Sequence, residues 1–203
     1  ILMALSMGEG FIKITGEVGT GKSMLCRKLI ASLDQDYEVA LVLNPYREPH
    51  SLFLELCQEF NAFYKPKQFD NQFAVLTALT NRVLELSQIG KRIVICLDEA
   101  QAMPIPTLEA LRLLTNMESE KRKLVQIVIF GQPELDERLN HPSIRQLKQR
   151  ITFSYHLRPL TKDELKAYLR HRLLAAGHVD GNLFRPSALS LLREQSKSVP
   201  RMI

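Results

Sequence analysis

The segment Gly16-Glu17-Val18-Gly19-Thr20-Gly21-Lys22-Ser23 follows the spacing G-x-x-x-x-G-K-S. That pattern suits a loop wrapped around a phosphate. Glycines let the backbone curl so that successive N–H groups point inward. A helix starting at the loop adds its positive end. Lys22 then reaches the β- and γ-oxygens, and the Ser23 hydroxyl can ligate Mg²⁺. The flanks supply the context this reading needs. Phe11–Thr15 is apolar and β-branched and predicts a strand that breaks at Gly16. Gly21–Leu33 predicts a helix, with Met24, Leu25, Leu29 and Ile30 recurring at helical spacing.

Farther out, strand-like and helix-like stretches alternate. Val39–Leu43 is a continuous apolar run, as expected of a strand buried on both faces, Ile93–Leu97 reads as another buried strand, and Val125–Phe130 reads as a fourth strand, ended by Gly131. Asn44 and Pro45 end the first of them. Ile151–Leu157 is more polar and belongs nearer an edge. His50–Phe63, Gln72–Leu86 and Pro106–Met117 read as helices between them, the second with Phe73, Leu76, Leu79, Val83 and Leu86 on one stripe. Such alternation implies an α/β fold with a mainly parallel sheet covered on both faces. After Pro159 the pattern becomes all-helical. Thr161-Lys-Asp-Glu164 is a capping box, Gly177 suits a helix end, and Pro186 opens another helix. The expected division is residues 1–158 as the αβα domain and 159–203 as the start of a helical one.

Ile93–Leu97 delivers two adjacent carboxylates, Asp98 and Glu99. Asp98 can hold Mg²⁺ through water, and Glu99 can orient and deprotonate an attacking water. A Glu directly after the Asp points to ATP hydrolysis with a carboxylate base rather than to small GTPases that use a Gln. The sequence has no N-K-x-D element for reading guanine.

Composition sets the outer bounds. The chain has 203 residues, 45% hydrophobic and 24% charged, which excludes a disordered or fibrous protein. Cys26, Cys57 and Cys96 form no C-x-x-C pair, which argues against a disulfide framework; Cys26 and Cys96 read as small core residues. His50, His141, His156, His171 and His178 show no ligand spacing. The net charge of +5 permits acidic partners without demanding them. Apolar runs fall far short of the roughly 20 residues that span a bilayer. A chain running from Ile1 to Ile203 reads as an excised piece, so its parent's membrane attachment is left open.

The segments GFIKITGEVGTGKS, VICLDEAQAMP, IFGQPEL, QRITFSYHLRPLTKDEL and the terminal VPR, in this order, resemble the AAA+ ATPases of the ExeA family. That family includes ATPases of general secretion and, nearest in kind, of MSHA pilus biogenesis (MshM). The transposition ATPases TnsC and TniB are more distant relatives. The resemblance implies a five-stranded parallel core in the order 5-1-4-3-2, a helical lid, ATP and Mg²⁺ as cofactors, and a nucleotide-dependent homo-oligomer. It places Gly16, Glu17, Val18, Gly19, Thr20, Gly21, Lys22, Ser23 and Met24 around the nucleotide, with Ser23 and Asp98 on the metal and Glu99 as base. Gln132 falls at the first sensor beside the γ-phosphate, or merely closes a turn. Arg150 falls at the arginine finger, in competition with Arg145. Arg201 falls at the second sensor of the lid, although Ser198 stands where the family has a glycine. The segment that holds adenine in the family lies upstream of Ile1, so nucleotide binding is expected to be weak.

The function so implied is ATP hydrolysis serving a pilus or type II secretion apparatus, in the cytoplasm at the inner-membrane face, with assembly proteins as partners. The alternatives are a DNA-binding regulator of the transposition type and a nucleotide-gated scaffold. The basic turn Lys121-Arg122-Lys123 reads as a solvated loop, with a DNA or partner contact as its other reading.

Overall fold

The computed structural model describes residues 1–43, 48–62, 71–117 and 123–203. Asn44, Pro45, Phe63, Lys121 and Arg122 lie outside these. The chain divides into two compact units. One comprises Ile1–Thr15 with Lys22–His156, and the other Gly16–Gly21 with Leu157–Ile203.

In the larger unit, β1 (Phe11–Gly16), β2 (Tyr37–Val42), β3 (Arg92–Leu97), β4 (Val125–Gly131) and β5 (Phe153–Leu157) form one sheet in the order β2-β3-β4-β1-β5. Read from the other end, this is the order 5-1-4-3-2. The pairs β2–β3, β3–β4 and β1–β4 are parallel. Thr15 pairs with Gly131 and Leu97 with Ile129, so β1 and β3 leave the sheet along the same edge.

Side chains alternate across each strand. Phe11, Ile93, Ile95, Leu97, Ile127 and Ile129 face one core, where they meet α3 (Pro49–Glu59), α4 (Gln72–Gln88) and α5 (Ile105–Thr115). Ile12, Ile14, Val94, Cys96, Val128 and Phe130 are buried on the opposite face, where α2 (Lys22–Ser32) packs on β4. This is the expected α/β arrangement of helices on both sides of a parallel sheet.

Two patterns resolve differently from their sequence reading. β2 lies at a sheet edge, and only Ala40 and Val42 of it are buried. An edge strand has one neighbour, so an apolar run there need not be covered on both faces. On α4 the buried stripe is Val75, Leu79, Val83 and Leu86, whereas Phe73 is 77% exposed. Phe73 sits in the first turn, where the Asn71 side chain caps its N–H and that of Ala74.

Short helices complete this unit: α1 (Leu2–Ser6), α6 (Glu134–Leu139) and α7 (Arg145–Arg150). The buried Gln126 amide on β4 donates to the Leu5 and Glu9 carbonyls at 3.0 and 2.9 Å. That pair of bonds ties the α1 segment to the sheet and satisfies a polar group that burial would otherwise penalise. The three cysteines are buried and free. Burial pushes the Cys57 thiol up to about 11, and a hydrogen bond with Cys26, helped by burial, raises that of Cys96.

In the smaller unit, α8 (Lys162–Ala175) begins with the expected capping box. Glu164 N–H donates to Thr161 Oγ1, and the Glu164 carboxylate accepts from Thr161 N–H at 2.7 Å. Arg158 also grips that carboxylate with both guanidinium nitrogens at 2.8 and 3.1 Å. The Arg158 guanidinium and the cap together hold its pKa at about 2. The helix ends in a Schellman pair, with Gly177 N–H donating to Leu174 and His178 N–H to Leu173. Pro186 opens α9 (Pro186–Ser196) at its first turn. Beyond α9, Lys197 and Ser198 both adopt left-handed backbone, at φ 49° and 58°. Ser198 therefore takes up without glycine a turn that favours one; its carbonyl accepts from Leu160 N–H.

Candidate functional site

The glycine-rich loop folds back on the end of the chain within the smaller unit. Thr20 bonds to the Glu17 carbonyl through both its backbone N–H and its hydroxyl, at 3.3 and 2.8 Å, which tightens the turn. A Cβ at Gly16 would come within 2.9 Å of the Leu157 carbonyl oxygen, so that close approach requires glycine. Gly19 has φ +82°, and a Cβ there would lie 2.5 Å from Arg201 Cβ and 3.1 Å from Val199 Cγ1. Arg201 sits on a 3-10 turn, Pro200–Met202, and its N–H donates to the Gly19 carbonyl at 3.2 Å. The tail arginine is thus packed directly on the loop.

Gly19→Ala is therefore expected to destabilise the smaller unit by about 1–3 kcal/mol, through left-handed strain and the displaced Arg201 turn. Urea unfolding measures this, and an unchanged midpoint would contradict the packing.

In the larger unit, Lys22 opens α2 and is buried, at 5% exposure. Lys22 has a polar interaction of its own in the structure. Ser23 and Met24 follow on the exposed side of that first turn. Asp98 directly follows β3, 4% exposed, and its Oδ1 accepts from the Glu99 N–H at 2.9 Å. Glu99 itself holds φ 53°, ψ 36°. A non-glycine residue in left-handed backbone costs about 1–2 kcal/mol, and such strain concentrates at functional sites.

Glu99 Oε2 accepts from two side-chain amides, Gln101 Nε2 at 2.6 Å and Gln132 Nε2 at 3.3 Å. Gln132 follows β4, so the structure brings this sequence-predicted residue to the carboxylate. The Gln132 carbonyl also accepts from Leu135 N–H at 2.9 Å, closing the turn into α6. Gln101 had no role in the sequence reading. Its signal was its position two residues beyond Glu99, on the short 3-10 turn Ala100–Ala102.

Arg150, the last residue of α7, donates to the Thr115 carbonyl and hydroxyl, both at 3.3 Å. Its guanidinium is engaged at the end of α5 rather than with Glu99 or Gln132. Arg145, at the start of α7, is exposed. Three histidines have local roles: His156 meets Thr15 at 3.2 Å, His141 caps the 3-10 turn at Ser143, and His178 accepts from Gly181 N–H.

The donors within each unit are of the kinds that a nucleotide and a divalent cation require. In the smaller unit the glycine-shaped loop suits a phosphate; in the larger unit the buried lysine suits a phosphate oxygen, and the buried carboxylate and exposed serine hydroxyl suit Mg²⁺.

Comparison with known proteins bears on the family and the fold. The chain is 43% identical over 200 residues to the General secretion pathway protein A of Aeromonas hydrophila, an alignment covering 98% of this chain and 36% of that protein. The chain thus spans about a third of that relative's length. Among solved structures, Cdc6p of Pyrobaculum aerophilum superposes with a TM-score of 0.68 at 20% identity, covering 86% of this chain and 47% of that one. ORC2 of Aeropyrum pernix, solved in ADPNP–ADP complexes, gives 0.60 at 20% identity, covering 85% and 48%. Both likenesses concern the fold. Residues 5–139 match the profile described as the AAA domain, well over half of the chain, and the chain belongs to that family.

Proposed function

We propose that this chain is a Mg²⁺-dependent ATP-binding and ATP-hydrolysing AAA+ unit serving a secretion apparatus. Residues 1–158 form its nucleotide-binding core, and residues 159–203 the start of its lid. The observation that carries the ATPase reading is the left-handed Glu99, its carboxylate held by Gln101 and Gln132 at the strand edge where β1 also ends.

In this reading the backbone N–H groups of Gly16 through Met24 bind the phosphates. Lys22 sets the β- and γ-phosphoryl groups, and Arg201 serves as the second sensor of the lid. Asp98 and Ser23 hold Mg²⁺, which supplies charge neutralisation at the phosphate oxygens when bound. Glu99 takes the proton of the attacking water, and Gln132 orients both. Arg150 acts on a neighbouring copy in a homo-oligomer.

The secretion role is supported by the relative's name, whereas pilus biogenesis of the MSHA kind and DNA regulation rest on resemblance alone. Among the described residues no helix is long and apolar enough to cross a membrane. The proposed place of action is the cytoplasmic face of the inner membrane, with secretion assembly proteins as partners.

Lys22→Ala tests the binding half. A charge-assisted hydrogen bond contributes about 1.5–3 kcal/mol, so affinity for a fluorescent ATP analogue should fall about 10–100-fold. Wild-type affinity in that variant would show that Gly16–Ser23 is not the phosphate loop.

A further inference from the structure

Gln101 lies between Glu99 and the end of β4, and its amide is used at both ends. Its Oε1 accepts from the Gln132 backbone N–H at 3.0 Å. A backbone N–H can only donate, so oxygen faces Gln132 and Nε2 must face Glu99. There Nε2 donates to Glu99 Oε2 at 2.6 Å. Gly131 makes room for this bridge: a Cβ there would lie 3.2 Å from Gln101 Oε1 and 2.7 Å from Leu135 Cδ2.

We propose that Gln101 is the positioning residue for Glu99 in ATP hydrolysis, an inference that rests on the ATPase reading above. Glu99 Oε2 is anchored by two amides, and both are referenced to β4: Gln132 by the chain itself, Gln101 through the Gln132 N–H. Among the described residues Glu99 Oε1 takes no hydrogen bond, which leaves that oxygen to accept a proton from water. Glu99 stands on strained backbone at the head of a three-residue turn. Its direction is therefore set by the side-chain clamp as much as by the main chain. Loss of the clamp frees the carboxylate to swing, and a base displaced by about 1 Å can lose about 10²-fold in rate.

Two substitutions separate the ends of the bridge. Gln101→Glu keeps an acceptor for the Gln132 N–H but turns a carboxylate oxygen toward Glu99, which repels it. Gln101→Asn is one methylene short and cannot span both partners. The expected falls in kcat are about 10²-fold and about tenfold, the range for losing a group that orients a functional residue. KM for ATP and the dissociation constant of a fluorescent ATP analogue stay within about twofold. Without turnover, amide exchange in nucleotide-free protein should show the Gln132 N–H exposed in Gln101→Asn and protected in Gln101→Glu. In a Glu99→Gln background, Gln101→Glu should cause no further loss, because the clamped group has already been neutralised.

Wild-type kcat in both variants overturns the proposal, as does an equal further loss in the Glu99→Gln background. If Gln101→Glu fails to fold, Gln101→Asn decides alone, and an unchanged kcat in it overturns the proposal. Unaltered turnover in Glu99→Gln overturns the ATPase reading and this inference together. Loss there, with both Gln101 variants unaffected, overturns only the inference.

Discussion

Glu99→Gln should leave ATP bound and reduce turnover by about 10²–10⁴-fold, the usual range for loss of a general base. The change keeps size and hydrogen-bonding reach but removes the proton acceptor. It also changes the clamp: an amide oxygen can still accept from Gln101 and Gln132, so the turn persists while the base is gone. Single-turnover hydrolysis and a parallel binding titration separate the two effects. Asp98 is the necessary comparison. Its side chain is buried and supports the Glu99 N–H, so Asp98→Asn should weaken Mg²⁺-dependent binding as well as turnover. If Asp98→Asn left metal-dependent binding intact while Glu99→Gln abolished it, the two roles would have to be exchanged.

What could be read from the sequence follows from the range of each interaction. The central strand β3 announces itself because a strand buried on both faces is nearly all apolar, as Ile93–Leu97 is, and β4 keeps that pattern except at Gln126, whose amide is satisfied by the Leu5 and Glu9 carbonyls. The edge position of β2 cannot be read from Val39–Leu43, because neighbours are chosen by the whole sheet. Helices α1, α6 and α7 have only five or six residues each, too few for a 3.6-residue period to show. At the site, Gly16–Ser23 and Asp98-Glu99 are local patterns whose spacing carries the chemistry. Gln101 is different. Its importance depends on a left-handed residue before it and on the backbone N–H of a residue 31 positions away, and neither leaves a local trace. The packing of Arg201 on Gly19 joins two ends of the chain in the same way, so the resemblance could assign Arg201 a role without giving its contact.

Arg150→Ala should lower the assembled enzyme's rate by about 10³–10⁵-fold, the contribution of an arginine finger in P-loop enzymes, with little effect on nucleotide affinity. Arg150 now donates to Thr115 through two long bonds of 3.3 Å. A typical hydrogen bond contributes only about 0.5–1.5 kcal/mol net, so a neighbour's phosphoryl charge can draw the guanidinium away. A finger lent to another subunit leaves each lone protomer with an incomplete site. Specific activity should therefore rise with protein concentration, and Arg150→Ala should flatten that rise. Mixing Arg150→Ala with Glu99→Gln should restore part of the activity. One protein then supplies the base and the other the finger at a shared interface, although neither is active alone. The measurement is ATPase rate against concentration, with mass followed by light scattering. If Arg145→Ala abolishes the concentration dependence and Arg150→Ala does not, the finger is the exposed residue at the start of α7. A rate per molecule that stays constant on dilution, from a fully active monomer, would exclude both arginines as fingers acting in trans and leave the Thr115 bonds as the whole role of Arg150.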